Sequence, residues 1–240
     1  MADKHHGRSK AKPKSATSRQ MQLIDKLAQE RFNIHSIELM ENAGEAAASC
    51  AMGILKGGGG SMRVAVFCGK GNNGGDGFVV SRKLIEERFE VDTFLLCAED
   101  ELRGDPAINL AALKKMGANI TPLVMSGEAP ALRKDYKLII DAIFGTGFKG
   151  RPDEFVSSLI ASINKSGAKI LAIDVPSGLD ATTGVRAGEC VKADTTITFG
   201  LPKNGFYKED GPQYTGDIIV KNIGFPETLL KDLPEDNSHI

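Results

Sequence analysis

The chain has 240 residues, 41% of them apolar and 25% charged, with a formal net charge of -1. Such a composition suits one globular domain with a single sizeable core, and the near-neutral balance gives no sign of a polyanion partner such as nucleic acid. No run approaches the ~20 apolar residues of a membrane helix, and no secretory-type apolar stretch stands near the start. Cys50, Cys68, Cys97 and Cys190 lie far apart without a C-x-x-C pair, which suits reduced thiols in a cytoplasmic compartment better than a disulfide framework or a zinc site.

Residues 1–16 stand apart. They are rich in Lys, Arg, Ser and His, with Asp3 as the one acidic residue. They have almost nothing to bury, which predicts a disordered basic tail; an organelle-targeting segment or a contact arm is the functional alternative. The remainder, 17–240, is expected to fold as one domain. Over 17–32, Met21, Ile24, Leu27 and Ala28 recur at helical spacing, and Thr17 with Gln20 sets up a capping box. A second helix is expected over 36–52, with Met40, Ala43, Ala47 and Ala51 on one face and Gly53 as its stop. Lys56 and the glycines of 57–60 read as a flexible connector.

From residue 62 the pattern alternates between strand and helix. Strands are predicted over 63–68, 91–97, 136–141, 169–174, 194–199 and 217–220; most are near-continuous Val/Ile/Leu/Phe runs, as in a sheet covered on both faces. Helices are predicted over 75–88, 106–116 and 152–165, with Asp105 as N-cap before Pro106, and Gly117 and Gly167 as stops. The fold class is therefore α/β: a three-layer αβα sandwich with a mostly parallel central sheet and two N-terminal helices.

In such sheets ligands bind beyond the carboxyl ends of the strands, and three ends are unusual here. The first runs into the glycine-asparagine stretch 69–77, which contains G-x-G-x-x-G at Gly69, Gly71 and Gly74. The motif alone is weak: Glu99 and Asp100 come later than the ribose-binding acid usually found ~20 residues on, and no Lys-Ser or Lys-Thr completes a P-loop. Yet Asn72, Asn73 and Asp76 are too polar for a mere tight turn. The stretch 145–151 is a second glycine-rich turn, whose amides and Lys149 could hold phosphate or ribose oxygens, or which could simply connect strand to helix. Asp141 ends an apolar strand, where a carboxylate is costly unless it is solvated, paired or bound to a cation. With Asn73 and Ser177 it makes an all-oxygen set whose single charge suits a monovalent ion; a helix cap is the plain alternative. Asp174, beside Pro176, can exchange a proton if burial shifts it toward neutrality, or can cap its own turn. His5, His6, His35 and His239 fall in the tail, a loop and the terminus, so a Ser-His-Asp triad is not expected.

Taken together, Leu39-Met40-Glu41-Asn42-Ala43-Gly44, the stretches 71–77, 141–145 and 174–178, and Gly200-Leu201-Pro202-Lys203 resemble the YjeF N-terminal domain family, the NAD(P)H-hydrate epimerases, over roughly residues 19–225. The resemblance implies a Rossmann-like fold, a homodimer, and interconversion of the R and S forms of NADHX and NADPHX, cofactors hydrated at the nicotinamide ring. It implies that Asn72, Asn73, Gly74, Gly75 and Asp76, then Gly145, Thr146, Gly147, Phe148, Lys149, Gly150 and Arg151, and also Asp174, contact this dinucleotide, which is substrate and not cofactor. It further implies one potassium ion per subunit held by Asn73, Asp141 and Ser177, and work alongside a separate NAD(P)HX dehydratase. The kinase-like dehydratase domain fused to some members is not expected in this chain. The chemistry expected is loss of hydroxide with the push of the ring nitrogen and return of water from either face, with Asp174 as acid/base. Competing readings are a non-catalytic scaffold with this domain, which could dispense with Asp141, Asp174 and the asparagines, and a conventional dehydrogenase, for which no second substrate domain is visible.

Overall fold

A computed structural model describes residues 14–56, 62–123 and 131–236. The 57–60 connector and residues 1–13 of the tail lie outside the described residues. Helix α1 (Ser18–Phe32) opens on the expected capping box: the Gln20 amide donates to Thr17 Oγ1 (3.1 Å) and the Thr17 amide to Gln20 Oε1 (3.0 Å). It closes at Asn33, whose left-handed φ of 55° turns the chain into α2 (Ser36–Leu55). Gly53 does not stop α2, which runs to Leu55; the glycine keeps helical geometry, and nothing at that point forces the chain out of it.

The alternating region supplies β1 (Arg63–Cys68), α3 (Asn72–Glu86), β2 (Glu90–Leu95), α4 (Gly104–Lys115), β3 (Asn119–Pro122), β4 (Tyr136–Ala142), α5 (Glu154–Asn164), β5 (Lys169–Ile173), β6 (Thr195–Phe199), α6 (Gly211–Tyr214), β7 (Asp217–Lys221) and α7 (Glu227–Lys231). Three expected helix starts move. α3 begins at Asn72 instead of residue 75. α4 begins at Gly104 after Arg103 with no side-chain cap, so Asp105 lies inside it; α5 is capped by Asp153, whose Oδ1 accepts the Val156 amide (2.8 Å), one residue beyond Pro152. Sequence patterning missed β3, a short and largely exposed edge strand without an apolar run, and the short helices α6 and α7.

The described strands form one sheet in the order β3-β2-β1-β4-β5-β6-β7, every neighbouring pair parallel. One face, through Val64, Val66, Leu138, Ile140, Leu171, Ile173 and Ile197, packs under α1 to α4. The other, through Ala65, Phe67, Ile139 and Ala172, packs under α5, whose Phe155, Leu159, Ile160 and Ile163 recur at helical spacing. Burial of each such Leu, Ile or Phe stabilises the fold by about 1.5–3 kcal/mol. The segment before α1 also differs from the expected tail. Ala16 is fully buried: its amide donates to the Pro202 carbonyl (2.9 Å), and its carbonyl accepts the Asn204 amide (2.8 Å). No helix among the described residues is long and apolar enough to cross a membrane.

Strand order reverses direction between β1 and β4: β2 and β3 follow β1 to one side, and β5 to β7 follow β4 to the other. The crevice beyond the carboxyl ends of these two strands is where a doubly wound sheet offers a ligand site.

Candidate functional site

The glycine-asparagine stretch is less a loop than a helix start. After Gly69, Lys70 and the N-cap Gly71, the chain is already helical at Asn72. Its glycines serve close packing. A Cβ on Gly69 would lie 2.1 Å from the Ile143 carbonyl oxygen, one on Gly74 1.8 Å from that of Gly69, and one on Gly75 2.6 Å from Met40 Sδ. Gly74 and Gly75 are therefore buried against protein, while Asn72, Asn73 and Asp76 line the cleft. Tight seating brings the first turn of α3 directly over the switch point. The earliest amide bonded back into this helix is Gly75, to Gly71 O, which leaves the preceding N–H groups for a ligand at the positive end of the helix.

Beneath that turn the strand ends converge. Asp141 is fully buried; its Oδ1 accepts the Ser177 hydroxyl (2.6 Å) and the Ile143 amide (3.2 Å), and its Oδ2 accepts the Ser177 amide (2.8 Å). Burial raises its carboxyl to about 6, against the opposing pull of these donors. Ser177 Oγ in turn accepts the Phe144 amide (2.9 Å). Asn73 donates from Nδ2 to the Phe144 carbonyl (3.0 Å), while its Oδ1 is buried with no hydrogen-bond donor. Asn73, Asp141 and Ser177, three distant positions in sequence, thus meet around Phe144. They present oxygen atoms, one of them orphaned, and one carboxylate, the donor chemistry of a site for a monovalent cation. Among the described residues no group of three His, Cys, Asp or Glu side chains is placed to hold a metal ion.

Asp174 follows β5 in a left-handed conformation, φ 63°, uncommon for a side chain other than glycine and a form of strain that concentrates at functional sites. Its Oδ1 is 2.7 Å from Lys203 Nζ and accepts the Thr198 hydroxyl (3.2 Å); its Oδ2 accepts the Thr146 amide (3.3 Å). Lys203 is 1% exposed and also meets Thr198 Oγ1 (2.7 Å) and the Phe199 and Leu201 carbonyls (3.1 Å each). A buried lysine so paired is held in one geometry, as an unpaired ammonium there would be very costly.

Asn73, Phe144 and the Asp174–Lys203 pair open into a cleft of about 480 Å³, while Asp141 and Ser177 lie buried behind them and do not line it. Its walls are the start of α3, the turn of Gly145, Thr146, Gly147 and Phe148, the Asp174–Lys203 pair, and residues of α1 and α2. Phe148 stacks on Phe144 with ring centroids 4.3 Å apart, stiffening the turn. Lys149, Gly150 and Arg151 lie beyond the cleft wall, and the stem of Arg151 rests near Gly188. Among the cleft residues that had no place in the sequence reading of the site are Asp25 of α1 and Lys203. Lys203 carried a signal, since it follows the carboxyl end of a strand, as Asp141 and Asp174 do. Asp25 carried a weaker one, a carboxylate beside the apolar stripe of Met21, Ile24 and Ala28. Burial and then Asp174 raise its carboxyl to about 7, with Lys203 opposing; Asp76 is raised well above the usual range by burial and then by Asp174 and Asp25.

Comparison with known proteins identifies the family of the chain. A family model described as YjeF-related protein N-terminus matches residues 36–205. The chain is 42% identical over 219 residues to the bifunctional NAD(P)H-hydrate repair enzyme Nnr of Moorella thermoacetica, covering 89% of this chain and 41% of that protein. It is 36% identical over 218 residues to the NAD(P)H-hydrate epimerase of Rhodopirellula baltica, covering 90% of this chain and 86% of that one. The chain thus spans about two-fifths of the bifunctional relative and most of the single-activity one. The crystal structure of a yeast protein shares the fold, with a TM-score of 0.69 at 22% identity over 87% of each chain. From the matched span and the covered relatives, this chain belongs to the YjeF-related N-terminal family.

Proposed function

We propose that the protein interconverts the R and S forms of NADHX and NADPHX. The observation that carries the reading is the joining, in one cleft at the switch point, of a helix N-terminus that suits phosphate with a half-buried carboxylate, paired to a buried lysine, that suits a reacting ring. In this reading the amides of Asn72 and Asn73 and the rim of Thr146, Gly147 and Phe148 take the dinucleotide, while Gly74, Gly75 and Asp76 hold that wall in place. Lys149, Gly150 and Arg151 reach the far end of the substrate.

At the reacting end, the hydrated ring carbon carries a hydroxyl and is bonded to the ring nitrogen. The C–O bond breaks as the nitrogen lone pair forms a C=N bond, and the hydroxyl leaves as water after taking a proton. Asp174, expected from the sequence as the acid/base, is assigned here to steadying the planar cation, since its Oδ1 is held by Lys203 and Thr198; water then adds to either face and gives up its proton. Lys203 and Thr198 fix Asp174, and the strained φ is consistent with pre-organisation for that task. Asn73, Asp141 and Ser177 suit one potassium ion per subunit, which would supply a fixed positive charge beside the Phe144 turn. The same reading includes a homodimer and a separate NAD(P)HX dehydratase that consumes the S form.

The test is an R/S mixture of NADHX incubated with an S-specific dehydratase. Adding this protein is expected to consume the R form well above its spontaneous rate, and Asp174→Ala is expected to lose at least about 10²-fold of that acceleration. Consumption of R at the spontaneous rate by the wild-type protein would remove the epimerase reading.

A further inference from the structure

The epimerisation needs a proton for the departing hydroxyl, and Asp174 is poorly disposed to give it, with Oδ1 committed to Lys203 and Thr198. A different carboxyl faces the same space. Met21, Asp25 and Gln29 recur every fourth residue along α1 and line the cleft as one stripe. The helix cannot drift away: Ala16, just before it, is bonded on both sides to the segment that carries Lys203, and Met21 sits against Gly200. Among the described residues no hydrogen bond or ion pair is made by the Asp25 carboxyl, although it interacts through space with Asp174, Lys203 and Asp76. A half-buried, unpartnered acid is costly to keep unless it serves a ligand.

We propose that Asp25, on the N-terminal helix, is the proton donor to the leaving hydroxyl, acting from the wall of the cleft contributed by α1 while Asp174 holds the cation. The inference rests on the epimerase reading above. In the forward step the Asp25 O–H bond breaks, its proton goes to the hydroxyl oxygen as the C–O bond breaks, and one water departs. In the return step water adds to the carbon, and its proton restores the Asp25 acid, directly when it adds on that face and through solvent when it adds on the opposite one, so no external reagent is consumed. Asp76 also lines the cleft, but it is buried in the second turn of α3, whereas Asp25 is only half-buried on the opposite wall.

The groups facing Asp25 are Asp174 after β5, Lys203 after β6 and Asp76 on α3, with Lys70 and Asp105 farther along the same cleft. Burial and then Asp174, with Lys203 opposing, keep the proton on Asp25 up to about pH 7, near the optimum for a general acid working at neutral pH. The acid form is the active one, so the rate is expected to fall as pH rises through about 7. The sign for stability follows from the same raised value: the folded state favours the protonated carboxyl, and stability present at low pH is lost as pH rises.

The experiment measures epimerisation of an R/S NADHX mixture from pH 5.5 to 9 for wild type, Asp25→Asn and Asp25→Glu, with melting curves for each. Asp25→Asn is expected to lose about 10²-fold in kcat with KM within a few-fold, to lose the falling limb at high pH, and to melt no lower than wild type at pH 8. An unchanged kcat, or a lowered kcat that keeps the same falling limb, overturns the assignment. Should Asp25→Asn fail to fold, Asp25→Glu decides: an intermediate rate with the limb retained supports the role, and a rate free of that limb overturns it. No acceleration by the wild-type protein would instead overturn the epimerase reading itself.

Discussion

At the residue scale the site is made by positions where only one chemical type fits, and the reasons differ from one position to the next. Gly74 reads in sequence as the third glycine of a G-x-G-x-x-G match. In the fold, the Gly69 carbonyl lies 1.8 Å from where a Cβ would stand. Gly74→Ala must therefore push the first turn of α3 off the end of β1. We expect a loss of about 1–3 kcal/mol, or a fall in melting temperature of roughly 2–12 °C, measured by thermal unfolding. The sequence spacing revealed that a side chain was excluded, but not by what. Asp141 and Ser177 were legible for a firmer reason: each polar residue ended or followed an apolar strand, and parallel strands bring such ends together. Lys203 escaped because it stands four residues past its strand, beyond a Leu-Pro bend that hides its return to Asp174.

At the scale of elements, helix existence and type followed from periodicity, while helix ends did not, because ends depend on neighbours. Gly53 and Gly44 lie in the same helix and illustrate the difference. Gly53 is exposed with nothing within 4 Å of a built Cβ, and it keeps helical geometry. Gly44 faces α3, and a Cβ there would lie 2.3 Å from Val79 Cβ and 3.1 Å from the Asp76 carbonyl oxygen. Composition alone cannot tell a helix-weakening glycine from a helix-contact glycine. We expect Gly53→Ala to stabilise the protein by about 0.5–1 kcal/mol, since only the backbone-entropy cost of glycine is removed. Gly44→Val is expected to destabilise it by about 2 kcal/mol or more and to raise KM for the dinucleotide, because α3 carries Asn72, Asn73 and Asp76. Urea unfolding of both variants beside the epimerase assay checks the pair. Equal effects of the two would mean that α2 and α3 do not pack at this contact.

At the scale of the whole molecule, strand order is the decisive feature, and no single stretch of sequence encodes it. Alternation of strand and helix predicted a parallel sheet; that β1 and β4 are neighbours, and that the acceptors of Asn73, Asp141 and Ser177 converge beneath α3, emerges only once seven strands are assembled. The potassium site proposed for this oxygen set predicts a measurable ion dependence. A cation that binds the folded chain and not the unfolded one stabilises by RT ln(1 + [L]/Kd), about 2.7 kcal/mol at a hundredfold excess over Kd. Melting in potassium chloride is therefore expected several degrees above melting in choline chloride at the same ionic strength, where general screening is equal. Asn73→Ala, which removes the orphaned Oδ1, should erase most of that difference. The pH dependence has a definite sign. Burial raises Asp141 to about 6, and its proton competes with a cation for the same oxygens, so the potassium-specific gain should be full near pH 7.5 and shrink toward pH 5. Equal melting in the two salts at pH 7.5 would leave the oxygen cluster as a purely structural clasp between the ends of β4 and β5. Its hydrogen bonds would then be holding Asp174 in place rather than holding an ion.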